Sequence, residues 1–356
     1  VVAAAVKKEG APLNSKLQKL ELNQWVLLHE QKPGDAVKFK TQEHGSGCFD
    51  IKRGRIVLFG SNTHGKDWNN SPMIFDVAKM EWTRVYPNDS KETYKANADG
   101  LPVAGEKGDH PWAMHTFGAV EYDPKRDEMV VCSYPGHMVP GRFTDALKDV
   151  WGTVKKHPTW TYRFAEEKWV PLPCEAVHFF PNATAFDSDR GVVIGYGGNG
   201  VSELGGEPRQ WKQVVSGSKV GWHNNAVYDT KNKALIVFGS NQNLNEIIIY
   251  KPATQEHTTM PTPGERPPKD QHNPMTFDES IGRTVIIVDR EIEPKVKYQG
   301  ETWLYDLASD SWAQVKSATL PFGCGMNYNM YYDPNHKVNL LVVPVDGKFG
   351  SSVSVF

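Results

Sequence analysis

The sequence predicts an all-β fold, a β-propeller of six blades, on three observations. A hairpin signature recurs six times, a pair of rings seven residues apart follows most of the hairpins, and turn-forming residues punctuate the whole chain. Each hairpin reads as a polar start, an apolar stretch, an aromatic-Asp pair, a short turn with Lys or Arg, and a β-branched run. The aromatic-Asp pairs are Phe49-Asp50, Tyr122-Asp123, Phe186-Asp187, Tyr228-Asp229, Phe277-Asp278 and Tyr332-Asp333. The runs behind them, RIVLFG, EMVVCS, GVVIGY, ALIVFG, TVIIVD and NLLVV, are too short for core helices and suit strands covered on both faces.

The second pattern marks an outer hairpin: Phe75 with Trp82, Tyr162 with Trp169, Tyr250 with His257, and Tyr305 with Trp312. Two inner and two outer strands make a four-stranded sheet, and such sheets repeated along a chain stack as propeller blades. The third repeat offers Trp211 in GEPRQWKQVV without a clear ring ahead of it, so its outer strands are the least defined. A seventh blade is the alternative if residues 87–114 hide one. The last repeat runs out at SSVSVF with one outer strand, whereas NQWVLLHE near the start has a Trp-centred strand and no hairpin before it. The ends are therefore expected to pair, with Trp25 beside the C-terminal strand, which closes the ring and removes its open edges. Residues 1–19 are read as an N-terminal tail and 20–356 as one propeller domain.

Composition narrows the function classes. Forty Lys and Arg stand against 42 Asp and Glu, a net charge of −2, with no basic block, so a nucleic-acid partner is not expected. No apolar run is long enough for a membrane span. Cys48, Cys132, Cys174 and Cys324 are far apart with no CxxC pair, which leaves disulfides open and removes a zinc knuckle. The order VVAAAV followed by Lys7 and Lys8 is the reverse of a signal peptide and looks like what processing leaves behind, so an extracytoplasmic protein, periplasmic or secreted, is expected.

Taken with strand ends such as Phe59-Gly60 and Tyr196-Gly197-Gly198, the aromatic-Asp turns and the seven-spaced rings resemble kelch repeats over nearly the whole chain, the type of propeller found at the centre of galactose oxidase. That resemblance implies architecture only, since propellers of this kind host binding modules, scaffolds, oxidases, isomerases and lyases.

Candidate chemistry gathers on one face. Five first strands open with His, namely His44, His115, His178, His223 and His272, with Asn327 in the sixth, which predicts imidazoles around the channel mouth or, alternatively, hydrogen bonds between blades. The loops leaving the second strands bring His64, Tyr134, His137, Asn199 and Arg290 to the same face. Blade two has the largest loops, residues 87–114 and 134–159, which carry His110, Trp112, Tyr134, His137 and Arg142; long loops on a rigid face commonly line a binding site.

A His-Tyr-Arg grouping over a propeller channel is similar to that of propeller-type polysaccharide lyases, the ulvan lyases among them. Elimination from a uronic acid needs its carboxylate neutralised, a base for the C5 proton and an acid for the leaving oxygen at C4. The resemblance assigns His115, His137, Tyr134 and Tyr162 as catalytic candidates, with Trp112, Arg142, Arg163, His178, His223, His272 and Arg290 binding the substrate. The expected partner is an acidic polysaccharide, bound and cleaved by β-elimination. One alternative is a non-catalytic propeller that serves as a binding module or as a subunit contacting partner proteins. The other is an oxidase or isomerase with a divalent metal held by the imidazoles; no HExxH or His-x-His motif supports it, and no other cofactor is indicated.

Overall fold

A computed structural model describes residues 11–30, 44–63, 68–179, 182–243, 245–294, 297–324, 328–344 and 353–355. The six repeats form six four-stranded antiparallel sheets among the described residues, each a meander. The first comprises Ser46–Asp50, Arg55–Phe59, Met73–Asp76 and Glu81–Arg84; the second Val120–Asp123, Glu128–Val131, Pro158–Arg163 and Lys168–Glu175. The third comprises Thr184–Asp187, Val192–Gly197, Gly200–Gly205 and Gln210–Ser216; the fourth Asn225–Asp229, Ala234–Phe238, Ile247–Lys251 and Glu256–Thr259. The fifth is built from Met275–Asp278, Arg283–Glu293, Lys297–Asp306 and Ser311–Gln314. The sixth joins Asn329–Asp333, Val338–Pro344 and Val353–Val355 to His29–Glu30 from the other end of the chain.

The aromatic-Asp turn has a local cause. Each Asp of the pair is buried, and its carboxylate accepts backbone N–H groups of the turn it begins, as Asp187 does from Asp189 and Arg190 (3.0 and 3.1 Å) and Asp229 from Asn232 (2.8 Å). Four residues on, the chain turns left-handed every time, at Gly54, Asp127, Gly191, Lys233, Gly282 and Lys337. Three of these are not glycine, so the carboxylate-held turn imposes the conformation against its steric cost. The seven-spaced pairs are directly opposed across the outer hairpins, Phe75 with Trp82, Tyr162 with Trp169, Tyr250 with His257 and Tyr305 with Trp312. In the third sheet Leu204 takes the aromatic's place opposite Trp211, so the outer strands form there as elsewhere.

Apolar clusters lie between successive sheets, and one joins Leu340 and Val342 of the sixth to Ile56 and Phe75 of the first. The first strands of successive sheets are neighbours, and that of the first sheet also neighbours that of the sixth. The arrangement is propeller-like, and residues of the six first strands line a common channel-like cavity of about 320 Å3. Ion pairs reinforce the stacking: Arg53 reaches Asp127 of the next sheet with two 2.8 Å contacts and holds its carboxyl down at about 2. No described helix is long and apolar enough to cross a membrane.

Three expectations change. Terminal pairing is carried by His29 and Glu30 against Val355 and Ser354, whereas Trp25 lies against the fifth sheet, its indole N–H donating to Thr302 Oγ1 at 2.8 Å. Part of the expected tail is built in: Leu17 is buried between the first and sixth sheets, and Asn14 is bound to Val77 and His336, so packing begins before residue 20. Within 87–114 the chain forms a small three-stranded sheet, Lys95–Ala96, Pro102–Ala104 and His110–Pro111, separate from the four-stranded series. The four cysteines are free thiols.

Removing one turn carboxylate by Asp187→Ala, which also strips Arg190 of a 2.6 Å partner, is expected to lower stability by about 2 kcal/mol, read from the denaturation midpoint. Glu121 lines the channel, and burial raises its carboxyl to about 8 although Thr184 donates to it at 2.7 Å. A raised carboxyl contributes its stability in full below the unfolded value of about 4.3 and loses it as pH rises through about 8. Glu121→Gln is therefore expected to match the parent at pH 4 and exceed it at pH 8 by on the order of 2 kcal/mol, a value reduced for channel solvent, in parallel unfolding titrations.

Candidate functional site

Six residues before the turn Asp, three sheets carry a left-handed His: His44, His223 and His272, with φ of 58°, 65° and 63°. In the second sheet Phe117 (φ 45°) holds that position. The rings converge on the channel end. His223 meets His272 edge-on at 4.4 Å, and Phe117 packs against both at 6.2 and 5.5 Å. The five histidines are thus not one repeat position. His115 and His178 lie two and three residues further from their turns, which moves them off the axis and under the blade-two insertion. Asn327 and His64 lie outside the described residues.

A cavity of about 510 Å3 opens beside this cluster, lined by His44, His137, Arg142, Phe143, His178, Asn182, Gly198, Asn199, Trp222 and His223. Loops flanking the second, third and fourth sheets supply most of its walls, and His44 ahead of the first sheet completes them. His137 sits in the 3-10 turn Gly136–Met138 just past the second strand of sheet two. Arg142 follows, exposed, with one guanidinium N–H donating to the Gly136 carbonyl at 3.1 Å and its carbon 5.2 Å from the Phe143 ring centre. Trp222 is held by its backbone, since its N–H donates to Asn241 Oδ1 and its carbonyl accepts from Asn241 N–H, both at 2.8 Å, which leaves the indole 60% exposed. Phe143 is 54% exposed on the same cavity. Large exposed rings on a pocket wall are what an apolar ligand face would cover.

Three of the imidazoles, those of His178, His223 and His272, are held towards their neutral form. Burial first, and then the Arg142 charge, lowers His178 to about 4; burial lowers His223, and burial with His223 and His44 brings His272 to about 3. The rings also stack: His115 lies between His44 (4.6 Å) and His137 (4.0 Å), and His178 packs against Tyr134 at 4.6 Å.

Of the residues expected on this face, His44, His137, Arg142, His178, Asn199 and His223 line the cavity. The others do not. His115 is 1% exposed beneath its two stacking partners, so it supports the wall and does not reach a ligand. Tyr134 stands behind His178, against His157. Tyr162 is core, buried with Phe164 and Trp169, and Arg163 pairs with Glu166 at 3.1 Å at the other end of its strand, opposite Glu128. Trp112 is buried inside the insertion, its indole donating to the Val103 carbonyl at 2.8 Å. His272 sits deeper than His223 and is not on the wall, and Arg290 is committed to Glu301 in the fifth sheet. Phe143 and Trp222 were not foreseen; the only trace in the sequence is that each adjoins an expected cation or imidazole.

Among the described residues no set of three His, Cys, Asp or Glu side chains is placed to hold a metal ion. No protein-family model matches the chain, and no curated protein sequence does.

The lowered His178 carries a pH signature. Its imidazole favours the fold in full above the unfolded value of about 6.5, and that contribution is lost as pH falls through about 4. In a histidine ring NMR titration, His178 is expected to stay neutral at pH 6, and a charged ring there counts against the buried geometry.

Proposed function

We propose that the chain is an extracytoplasmic, six-bladed, closed propeller of the kelch type, whose cavity beside the channel binds an acidic polysaccharide and cleaves it by β-elimination. The cyclic order of first-strand neighbours and the apolar clusters between sheets support the ring. The observation that carries the function is the wall itself: one exposed guanidinium, Arg142, beside two exposed rings, Phe143 and Trp222, and neutral imidazoles.

The residue types fit the reaction. Aromatic rings stack on the apolar faces of sugars, and the guanidinium pairs with a carboxylate in a bidentate fork. Neutralising that carboxylate makes the adjoining C5 proton acidic, because the negative charge that develops is delocalised onto an oxygen pair already held by a cation. An imidazole of the wall, His137 in this reading, takes the proton, the electron pair forms the C4–C5 double bond, and the C4–O bond breaks. The imidazolium so formed hands that proton on to the departing oxygen, one group serving first as base and then as acid. The cavity volume matches a few sugar units, so the polymer is held over a short stretch.

The purified chain, incubated with a panel of uronate-containing glycans, is expected to give the ultraviolet absorbance of an unsaturated uronate. Arg142→Ala is expected to raise KM by about tenfold or more, the loss of one charge-assisted contact, and Trp222→Ala to weaken glycan retention with the fold intact. Retention without absorbance identifies a binding module, and neither signal across the panel points to a propeller that docks partner proteins.

A further inference from the structure

The loop ahead of the first strand of sheet four is tied at every backbone polar group over two residues. Gly221 N–H donates to Ser240 Oγ at 3.2 Å, and its carbonyl accepts from Asn182 Nδ2 at 2.8 Å and from Asn224 Nδ2 at 3.0 Å. Trp222 N–H donates to Asn241 Oδ1 and its carbonyl accepts from Asn241 N–H, both at 2.8 Å, so one residue bonds both backbone groups of the tryptophan. A backbone N–H can only donate, which turns the carboxamide oxygen of Asn241, not its nitrogen, towards Trp222. Gly221 is matched to this contact: a Cβ there would collide with Asn241 Oδ1 and stand 2.9 Å from Gln242 Cγ. The partners come from ahead of sheet three and from both loops of sheet four at this end, so a surface loop is held by protein where water would ordinarily serve. The indole carried on this fixed backbone is exposed on the cavity wall, with only its own two side-chain torsions left to order.

We propose that Asn241 is a positioning residue that presents the Trp222 indole as a preformed platform for a pyranose ring of the bound glycan. The assignment rests on the polysaccharide reading above and adds the residue that prepares one of its contacts. Ordering a large side chain on a mobile loop subtracts from binding, and a loop fixed before the ligand arrives removes most of that cost. Asn241 is not itself on the wall and acts through Trp222. His137 and Arg142, which carry the elimination chemistry, belong to the loop of another sheet. Loss of the clamp therefore acts on affinity and leaves the chemical step alone.

The first stage of the test uses the full chain, labelled with 15N and free of ligand. The Trp222 amide is expected to be protected from hydrogen exchange although its loop lies at the surface. Asn241→Ala is expected to speed that exchange about tenfold with the thermal midpoint kept. Asn241→Asp, which keeps the acceptor oxygen, is expected to restore the protection, and Gly221→Ala to release the amide from the other side. The second stage is affinity electrophoresis in gels of polyglucuronate, polygalacturonate or alginate. In a gel that retains the parent, Asn241→Ala is expected to weaken retention about three- to tenfold, the cost of ordering one large side chain. Where that glycan is cleaved, KM is expected to rise by the same factor with kcat unchanged. A fast-exchanging Trp222 amide in the parent, or one indifferent to residue 241, overturns the clamp whatever the chain does to glycans. An amide released by Asn241→Ala with retention unchanged overturns the platform while the polysaccharide reading stands. A parent retained by none of the three gels overturns the polysaccharide reading and the pyranose platform with it, and the amide result still decides the clamp.

Discussion

The fold depends on one interaction repeated six times, the buried Asp carboxylate that closes the turn between the first and second strands of each sheet. An anion taken out of water is costly unless its oxygens are bonded, and here the turn's own N–H groups do so, joined by an Arg, Asn or His three residues on in five sheets. The carboxylate thereby sets the register of the hairpin. With the register set, the residue six places upstream is carried to the channel end in a left-handed conformation in the first, second, fourth and fifth sheets, which is how imidazoles from distant parts of the chain come together.

The second sheet shows how a site is grown on such a frame. Its two insertions pack on each other through Tyr94, Trp112, Met138 and Leu147, so the loops have a core of their own and present a rigid wall. That packing moves His115 inward and leaves His137 and Arg142 facing the cavity. Burial then does the electrostatic work: His178, His223 and His272 lose solvent and their uncharged form is favoured, while the Arg142 guanidinium stands exposed at the rim.

Most of the architecture was legible because its signals are local. The aromatic-Asp pair and the seven-residue spacing each report a contact made within one hairpin, and even the weakest repeat keeps the spacing, with Leu204 in place of a ring opposite Trp211. The site was legible only in part. Counting from each Asp shows that His44, His223 and His272 are equivalent and that His115 and His178 are not, but the destination of the last two is set by loops of unequal length that pack across sheets. Exposure of Trp222 and Phe143 is a tertiary property, and Tyr162, which satisfies the repeat, was never free to serve a site. Trp25 misled for the same reason, since its partner Thr302 belongs to a sheet far along the chain.

The two uncovered rings on the cavity wall have a thermodynamic consequence. Water ordered against Phe143 and Trp222 is released when any ligand lies over them, so association carries a negative change in heat capacity. The contribution of Arg142 to the same event fades with ionic strength. Calorimetry across temperature and salt would thus separate what the ring faces recognise from what the guanidinium does.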